Sequence, residues 1–223
     1  PSSRQLVSFL AIRVKNWVRP LGLQRLGQPC LLTGTGMAFP WAALQSVPLA
    51  SGNLVEDMQL GLDLTLAGYP PLLCPEARVL GQQPHSAQAE TTQRTRWEHG
   101  HLRTLGLVPH LLWSGLRRRR LGLIALALDL SVPPLALLAM LWTATAGLTM
   151  LFALISGLWG PALISITAGG LFTMAVLIAW GGFARDISLM QLLAVPLYLL
   201  WKVPLYFKFV TSPQVSWIRT ERE

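Results

Sequence analysis

Arg117-Arg118-Arg119-Arg120-Leu121-Gly122-Leu123-Ile124-Ala125-Leu126 marks the point where the chemistry of the chain changes. Four consecutive cations give way to Leu121–Trp159, an apolar stretch in which Asp129 is the only charge, and Pro161–Phe183 carries no charge at all. A membrane-crossing helix needs about 20 apolar residues. The first stretch is longer than one span and barely enough for two. Pro133-Pro134 suits the start of a membrane helix, because proline is tolerated in a first helical turn. Leu121–Leu130 then becomes a lead-in on the interface. A third stretch, Leu189–Val210, contains Lys202, Lys208, Pro196 and Pro204. Spanning, re-entrant and flat-lying readings of it stay open, and Tyr198, Trp201, Tyr206 and Trp217 suit an interfacial position. Residues 117–223 are therefore expected to be a membrane region of two to four hydrophobic helices with an interfacial C-terminal segment. The arginine run reads as its cytoplasmic flank. Asp129 is expected near the headgroups rather than as a functional acid inside the bilayer.

The composition agrees. Of 223 residues, 52% are hydrophobic and 13% charged, against roughly 25% charged in soluble chains. The net charge of +8 suits nucleic acid, an anionic membrane surface or phosphate-bearing ligands. No nucleic-acid recognition module is visible, so membrane lipids are expected as partners and nucleic acid is not. Cys30 and Cys74 lack metal-like spacing and are expected to be buried thiols rather than a disulfide.

Upstream of the arginines the charges and motifs are those of a folded domain, residues 1–116. Leu6, Leu10, Val14, Trp17 and Val18 recur at helical spacing, predicting an amphipathic helix that stops near Pro20 and Gly22. Pro29–Leu32 predicts a short buried strand that feeds Thr33-Gly34-Thr35-Gly36. Two glycines two apart permit a tight turn with free N–H groups that approach a ligand closely; most such pairs are simply turns. Asn53 or Ser51 is placed to cap a helix opening with Glu56-Asp57, where the backbone dipole favours acids. Gly68 stands where a C-cap glycine belongs. Pro71–Val79 reads as extended, and Gly81–His85 as a loop.

Gln93-Arg94-Thr95-Arg96-Trp97 follows on a helix beginning at Ser86 or Thr91. Gln93, Arg96 and Trp97 fall at i, i+3 and i+4 and share one helix face. That face offers an amide, a planar guanidinium able to bind phosphate oxygens bidentately, and a ring able to stack on a sugar. The competing reading is a solvated helix with one buried tryptophan. His99 and His101 diverge at i and i+2, which argues against a shared metal and for solvated or phosphate-proximal imidazoles.

Taken in order, Gly34–Phe39, Val55–Leu62 with its Glu56-Asp57, Ala67-Gly68-Tyr69, Pro75-Glu76-Ala77 and Gln93–Trp97 resemble the membrane-bound family-2 glycosyltransferases. These include cellulose-synthase-like, hyaluronan-synthase-like and poly-N-acetylglucosamine-synthase-like enzymes and ceramide glucosyltransferases. Trp217-Ile218-Arg219-Thr220 also looks like the tail of some bacterial members. The resemblance implies an α/β fold, the second half of an A-type glycosyltransferase domain, followed by α-helical transmembrane segments. It implies inverting transfer, with Asp57 as the base that deprotonates the acceptor hydroxyl. Trp97, Glu56, Gly34, Thr35 and Gly36 would meet the acceptor; Gln93, Arg94 and Arg96 would meet the donor diphosphate. The implied partners are a UDP-linked nucleotide sugar and a glycan or lipid-linked acceptor. The implied location is the bacterial inner membrane, with the catalytic half facing the cytoplasm.

The sequence departs from the family pattern. No D-x-D occurs, so the Mg²⁺ or Mn²⁺ expected of a full-length parent finds no ligand set in this chain. Pro1 opens the sequence in place of Met, and the chain is expected to be the acceptor half of a longer catalytic domain. The F-x-V-T-x-K gate of some cellulose synthases is not carried over, because Lys208 and Pro213 stand at its Phe and Lys positions. A non-catalytic membrane scaffold or secretion subunit derived from such an enzyme is the rival reading.

Overall fold

The computed structural model describes residues 2–34, 36–49, 52–77, 79 and 87–213. Its helices are α1 (Ser3–Arg13), α2 (Arg19–Arg25), α3 (Trp41–Gln45), α4 (Glu56–Ala67), α5 (Ala87–Thr104), α6 (Val108–Arg117), α7 (Leu121–Ser131), α8 (Leu135–Ser156), α9 (Gly160–Phe183), α10 (Leu189–Leu192) and α11 (Val195–Thr211). Among the described residues there is no strand, which corrects the α/β expectation. The segments read as strands, Pro29–Leu32 and Pro71–Val79, share one backbone bond among the described residues, from the Cys30 N–H to the Pro71 carbonyl at 3.0 Å, and Pro75-Glu76 lie in a turn. A ladder needs a donor at alternate residues, and prolines at 29, 70, 71 and 75 remove donors along both segments.

The chain forms two units, residues 19–133 with 207–223, and residues 1–18 with 134–206. The first has a core made by α4, α6 and α7. Met58 and Leu62 of α4, Leu111 of α6, and Leu123, Leu126 and Leu130 of α7 close around Leu31 and Val55. The α7 positions recur at three and four residues, the spacing that turns one helical stripe inward. Each such leucine contributes about 1.5–3 kcal/mol through burial. Gly115 lets α6 and α7 approach, since a Cβ there would lie 2.7 Å from Ile124 Cγ1. Gly68 ends α4 in the left-handed conformation, φ 104°. Asp129 pairs with Arg19: Arg19 Nε and Nη2 lie 2.9 and 2.6 Å from Asp129 Oδ1. Pairing offsets the desolvation of two largely buried charges.

Among the described residues three helices are long and apolar enough to cross a membrane: Leu135–Ser156 and Gly160–Phe183, both in the second unit, and Leu189–Thr211. The α8 helix begins directly after Pro133-Pro134, as the sequence suggests. Trp142 Nε1 donates to the Ser165 carbonyl at 2.7 Å, and Thr149 Oγ1 to Ser165 Oγ at 3.1 Å, polar ties that suit helix pairs in a medium without water. The chain does not leave helical geometry near Pro20. A π-turn, Val14–Val18, follows α1, and Pro20 sits in the first turn of α2, where its missing N–H costs little. Arg13 fastens α1 by donating to the Phe183 carbonyl and to Asp186, at 2.9 and 2.5 Å. Lys202 of α11 is fully buried beside the Tyr198 and Trp201 rings, 5.6 and 5.5 Å from their centroids.

Candidate functional site

Glu56 and Asp57 open α4, where the helix dipole stabilises carboxylates. The residue ahead of them, Val55, offers no side-chain cap. Asn53 acts one step earlier, accepting the Val55 N–H at 3.3 Å and donating to Gln59 Oε1 at 3.3 Å. Ser51, the other expected cap, lies outside the described residues. Glu56 is exposed and Asp57 half-buried.

The glycine loop comes to Asp57. Gly34 has φ 93°, and a Cβ on it would lie 3.1 Å from Asp57 Oδ2. Any side chain would therefore meet both a strained backbone and the carboxylate. Leu32 holds the loop in place by packing on Gly61 of α4, where a Cβ would come within 3.1 Å of Leu32 Cγ. Gly36 is covered by Val79, whose Cγ2 would lie 2.3 Å from an added Cβ. Thr35 lies outside the described residues.

The third part is α5. Gly100 sits against the residues leading into α4: a Cβ there would lie 2.6 Å from Val55 Cγ1 and 3.2 Å from Leu54 Cβ. This contact fixes α5 one turn beyond Arg96 and Trp97. Gln93 and Arg96 are half-buried, and Trp97 keeps 36% of its surface exposed. Arg94, next to Trp97 at i and i+3, is buried, with its Nε 3.0 Å from Glu90 Oε1. The histidines are not solvated as expected. His99 is buried with its ring edge-on to Phe209, centroids 5.2 Å apart. His101 is equally buried, its Nε2 3.0 Å from the Leu130 carbonyl. Both turn inward on α5 and tie it to neighbouring segments of the same unit.

Sequence reasoning passed over Glu90 and Gly100. The Glu90–Arg94 spacing of four is a readable helix pair, whereas nothing local marks Gly100 as a contact. Cys30 is a free, buried thiol as expected, while Cys74 is free and exposed. Burial, and next the negative charge of Asp129, push the Cys30 thiol pKa up.

Among the described residues, no three His, Cys, Asp or Glu side chains come together to hold a metal ion. The donor set among these residues does not fit a divalent cation.

No curated protein and no solved structure matches the chain. The family described as "Glycosyl transferase family group 2" matches residues 4–218, a span that takes in the glycine loop, Glu56-Asp57, the Gln93–Trp97 helix and the three apolar helices. On that match the chain belongs to glycosyl transferase family group 2.

Proposed function

We propose that this protein takes part in inverting transfer of a sugar from a UDP-linked donor to a glycan or lipid-linked acceptor, at the cytoplasmic face of a bacterial inner membrane. The observation that carries the reading is the approach of Gly34 to Asp57 on the unit where α5 is anchored beside the start of α4. Membership of the family supports a nucleotide-sugar donor and a glycan acceptor in general. In the proposed reaction Asp57 takes the proton of the acceptor hydroxyl as that oxygen attacks the anomeric carbon. The bond from that carbon to the diphosphate oxygen breaks on the opposite side. Gln93 and Arg96 face the leaving diphosphate, whose growing charge needs fixed donors. Arg94 is engaged with Glu90 on the same helix and serves by stabilising α5 itself. Trp97 offers its exposed ring to the acceptor sugar, with Glu56 and the Gly34–Gly36 loop beside it.

The test is transfer from radiolabelled UDP-sugars by the full-length protein in its membrane, with Mg²⁺, with Mn²⁺ and with chelator. Labelled polymer or lipid-linked product supports the reading. Folded protein that forms no product with any donor leaves the non-catalytic scaffold in its place.

A further inference from the structure

The α6–α7 hairpin ends in four arginines, and the backbone there is unusual. Arg119 N–H bonds to the Leu116 carbonyl at 3.2 Å and Arg120 N–H to the Gly115 carbonyl at 2.9 Å. This pair of bonds is a Schellman ending, whose left-handed position glycine normally fills. Here Arg119 fills it, with φ 54°, and it is the one non-glycine residue with positive φ among the described residues. A cation is thus kept where backbone chemistry prefers a residue with no side chain, the kind of local strain that accompanies a functional demand. Arg118 and Arg120 brace the tip by donating to the Leu66 carbonyl at 3.4 and 3.3 Å. Arg117, Arg118 and Arg119 are exposed and Arg120 half-buried. Beside them Trp113, Leu116 and Leu121 are 65%, 62% and 72% exposed.

We infer that this hairpin tip is a docking surface for a lipid bilayer carrying anionic phospholipids. Charge complementarity selects the headgroups: four guanidiniums, three of them on exposed residues and two braced on Leu66, form a compact cationic end. The three apolar side chains select a bilayer over a soluble polyanion. A tryptophan and two leucines next to cations match the composition of an interfacial anchor, in which the rings and branched chains enter the acyl boundary while the cations stay with phosphate. A free diphosphate or a nucleic acid would use the arginines and leave Leu116 and Leu121 in water. The surface lies within one unit and does not depend on the proposed transfer chemistry.

The test uses the full chain in nanodiscs of phosphatidylcholine, alone or mixed with phosphatidylglycerol. A nitroxide is placed on Leu116→Cys in a Cys74→Ser background, Cys30 being buried. Collision with oxygen against a water-soluble nickel complex reads the depth of the label. The expected result is a label in the hydrocarbon boundary when phosphatidylglycerol is present and nearer water when it is absent. Arg117→Gln with Arg119→Gly should lower the docked population by roughly thirty-fold. Arg119→Gly alone should not lower the melting temperature, because glycine suits the left-handed position. Should the double variant fold poorly, Arg117→Gln alone, at an exposed site, should still weaken docking. Equal depth in both lipids, an unchanged phosphatidylglycerol response in the variants, or loss of that response on adding inorganic pyrophosphate each overturns the inference, the last in favour of a soluble-diphosphate site.

Discussion

The carboxylate of Asp57 stands where a side chain at residue 34 would have to go, 3.1 Å from the position of a Cβ on Gly34. The glycine is thus doubly required, by its φ of 93° and by the neighbour it faces. The close approach of these two segments requires that residue 34 carry no side chain.

Gly34→Ala should cost about 1–2 kcal/mol from the left-handed backbone alone. It should also displace Asp57 and lower the transfer rate further than the stability loss explains. Melting temperature and initial rate, measured on one preparation, separate the two effects. An alanine variant of wild-type rate would show that the loop does not set the carboxylate.

Gly100 makes the corresponding approach for α5. Gly100→Ala puts a methyl group 2.6 Å from Val55 Cγ1, and overpacking of this kind costs about 1–3 kcal/mol. Val55→Ala in the same chain should recover part of that loss, giving a coupling energy on the order of 1 kcal/mol in a double-mutant cycle. Strict additivity would mean that α5 does not rest on Val55.

The features legible in the sequence are those set by local chemistry. Pro133-Pro134 marks the start of α8, Gly68 takes the left-handed end of α4, and the apolar runs become helices of spanning length. Contacts over long separations were not legible. His99 and His101 look like polar residues on a charged helix, yet Phe209 and Leu130 receive them. Asp129 reads as a stray acid in an apolar run until Arg19, 110 residues earlier, supplies its partner. The strand expectation failed because alternation and apolarity describe an extended segment, whereas a strand also needs donors and a neighbour; the prolines at 29, 70, 71 and 75 remove the donors.

Cys30 and Asp129 give a pH test. Burial first, then the Asp129 charge, raise the thiol pKa, so the folded state holds that proton more tightly than the unfolded chain. The associated stability is complete below the ordinary thiol pKa of about 8.5 and is lost as pH rises through the raised value. Asp129→Asn should move the pH midpoint for alkylation of Cys30 downward, though still above the ordinary value because burial remains. It should also destabilise the unit, since Arg19 keeps the Asp129 carbonyl but loses its anionic partner. An unmoved midpoint would show that the two groups do not sense each other.

Arg96 and Trp97 should fail in different ways. Trp97→Ala in the full-length protein should abolish transfer and leave donor binding nearly intact, if its exposed ring stacks on the acceptor. Arg96→Ala should weaken binding of the nucleoside diphosphate, and Arg96→Lys should not restore it fully, because a point charge lacks the bidentate fork. Arg94→Ala should behave as neither. It removes the guanidinium that meets the buried Glu90 carboxylate and should lower the melting temperature by several degrees. Calorimetric binding of UDP and acceptor-dependent rates distinguish the three patterns; the same loss in all three variants would make α5 a structural helix.

Asp57→Asn bears most directly on the chemistry. The substitution keeps the size of the side chain beside Gly34 but removes its ability to take a proton. As the general base, Asp57 should cost transfer about 10²–10⁴-fold when replaced. A purely structural Asp57 would act through the first turn of α4, where an acid contributes about 0.3–1 kcal/mol through the dipole. The structural role predicts a small fall in melting temperature and an unchanged rate per folded molecule; the catalytic role predicts the reverse. Glu56→Gln is the control, because its side chain projects about 100° away around the helix and cannot take over the proton. A rate loss of the same size at Glu56 and Asp57 would assign the effect to the helix end as a whole. A loss confined to Asp57 would assign it to the carboxylate that Gly34 leaves room for.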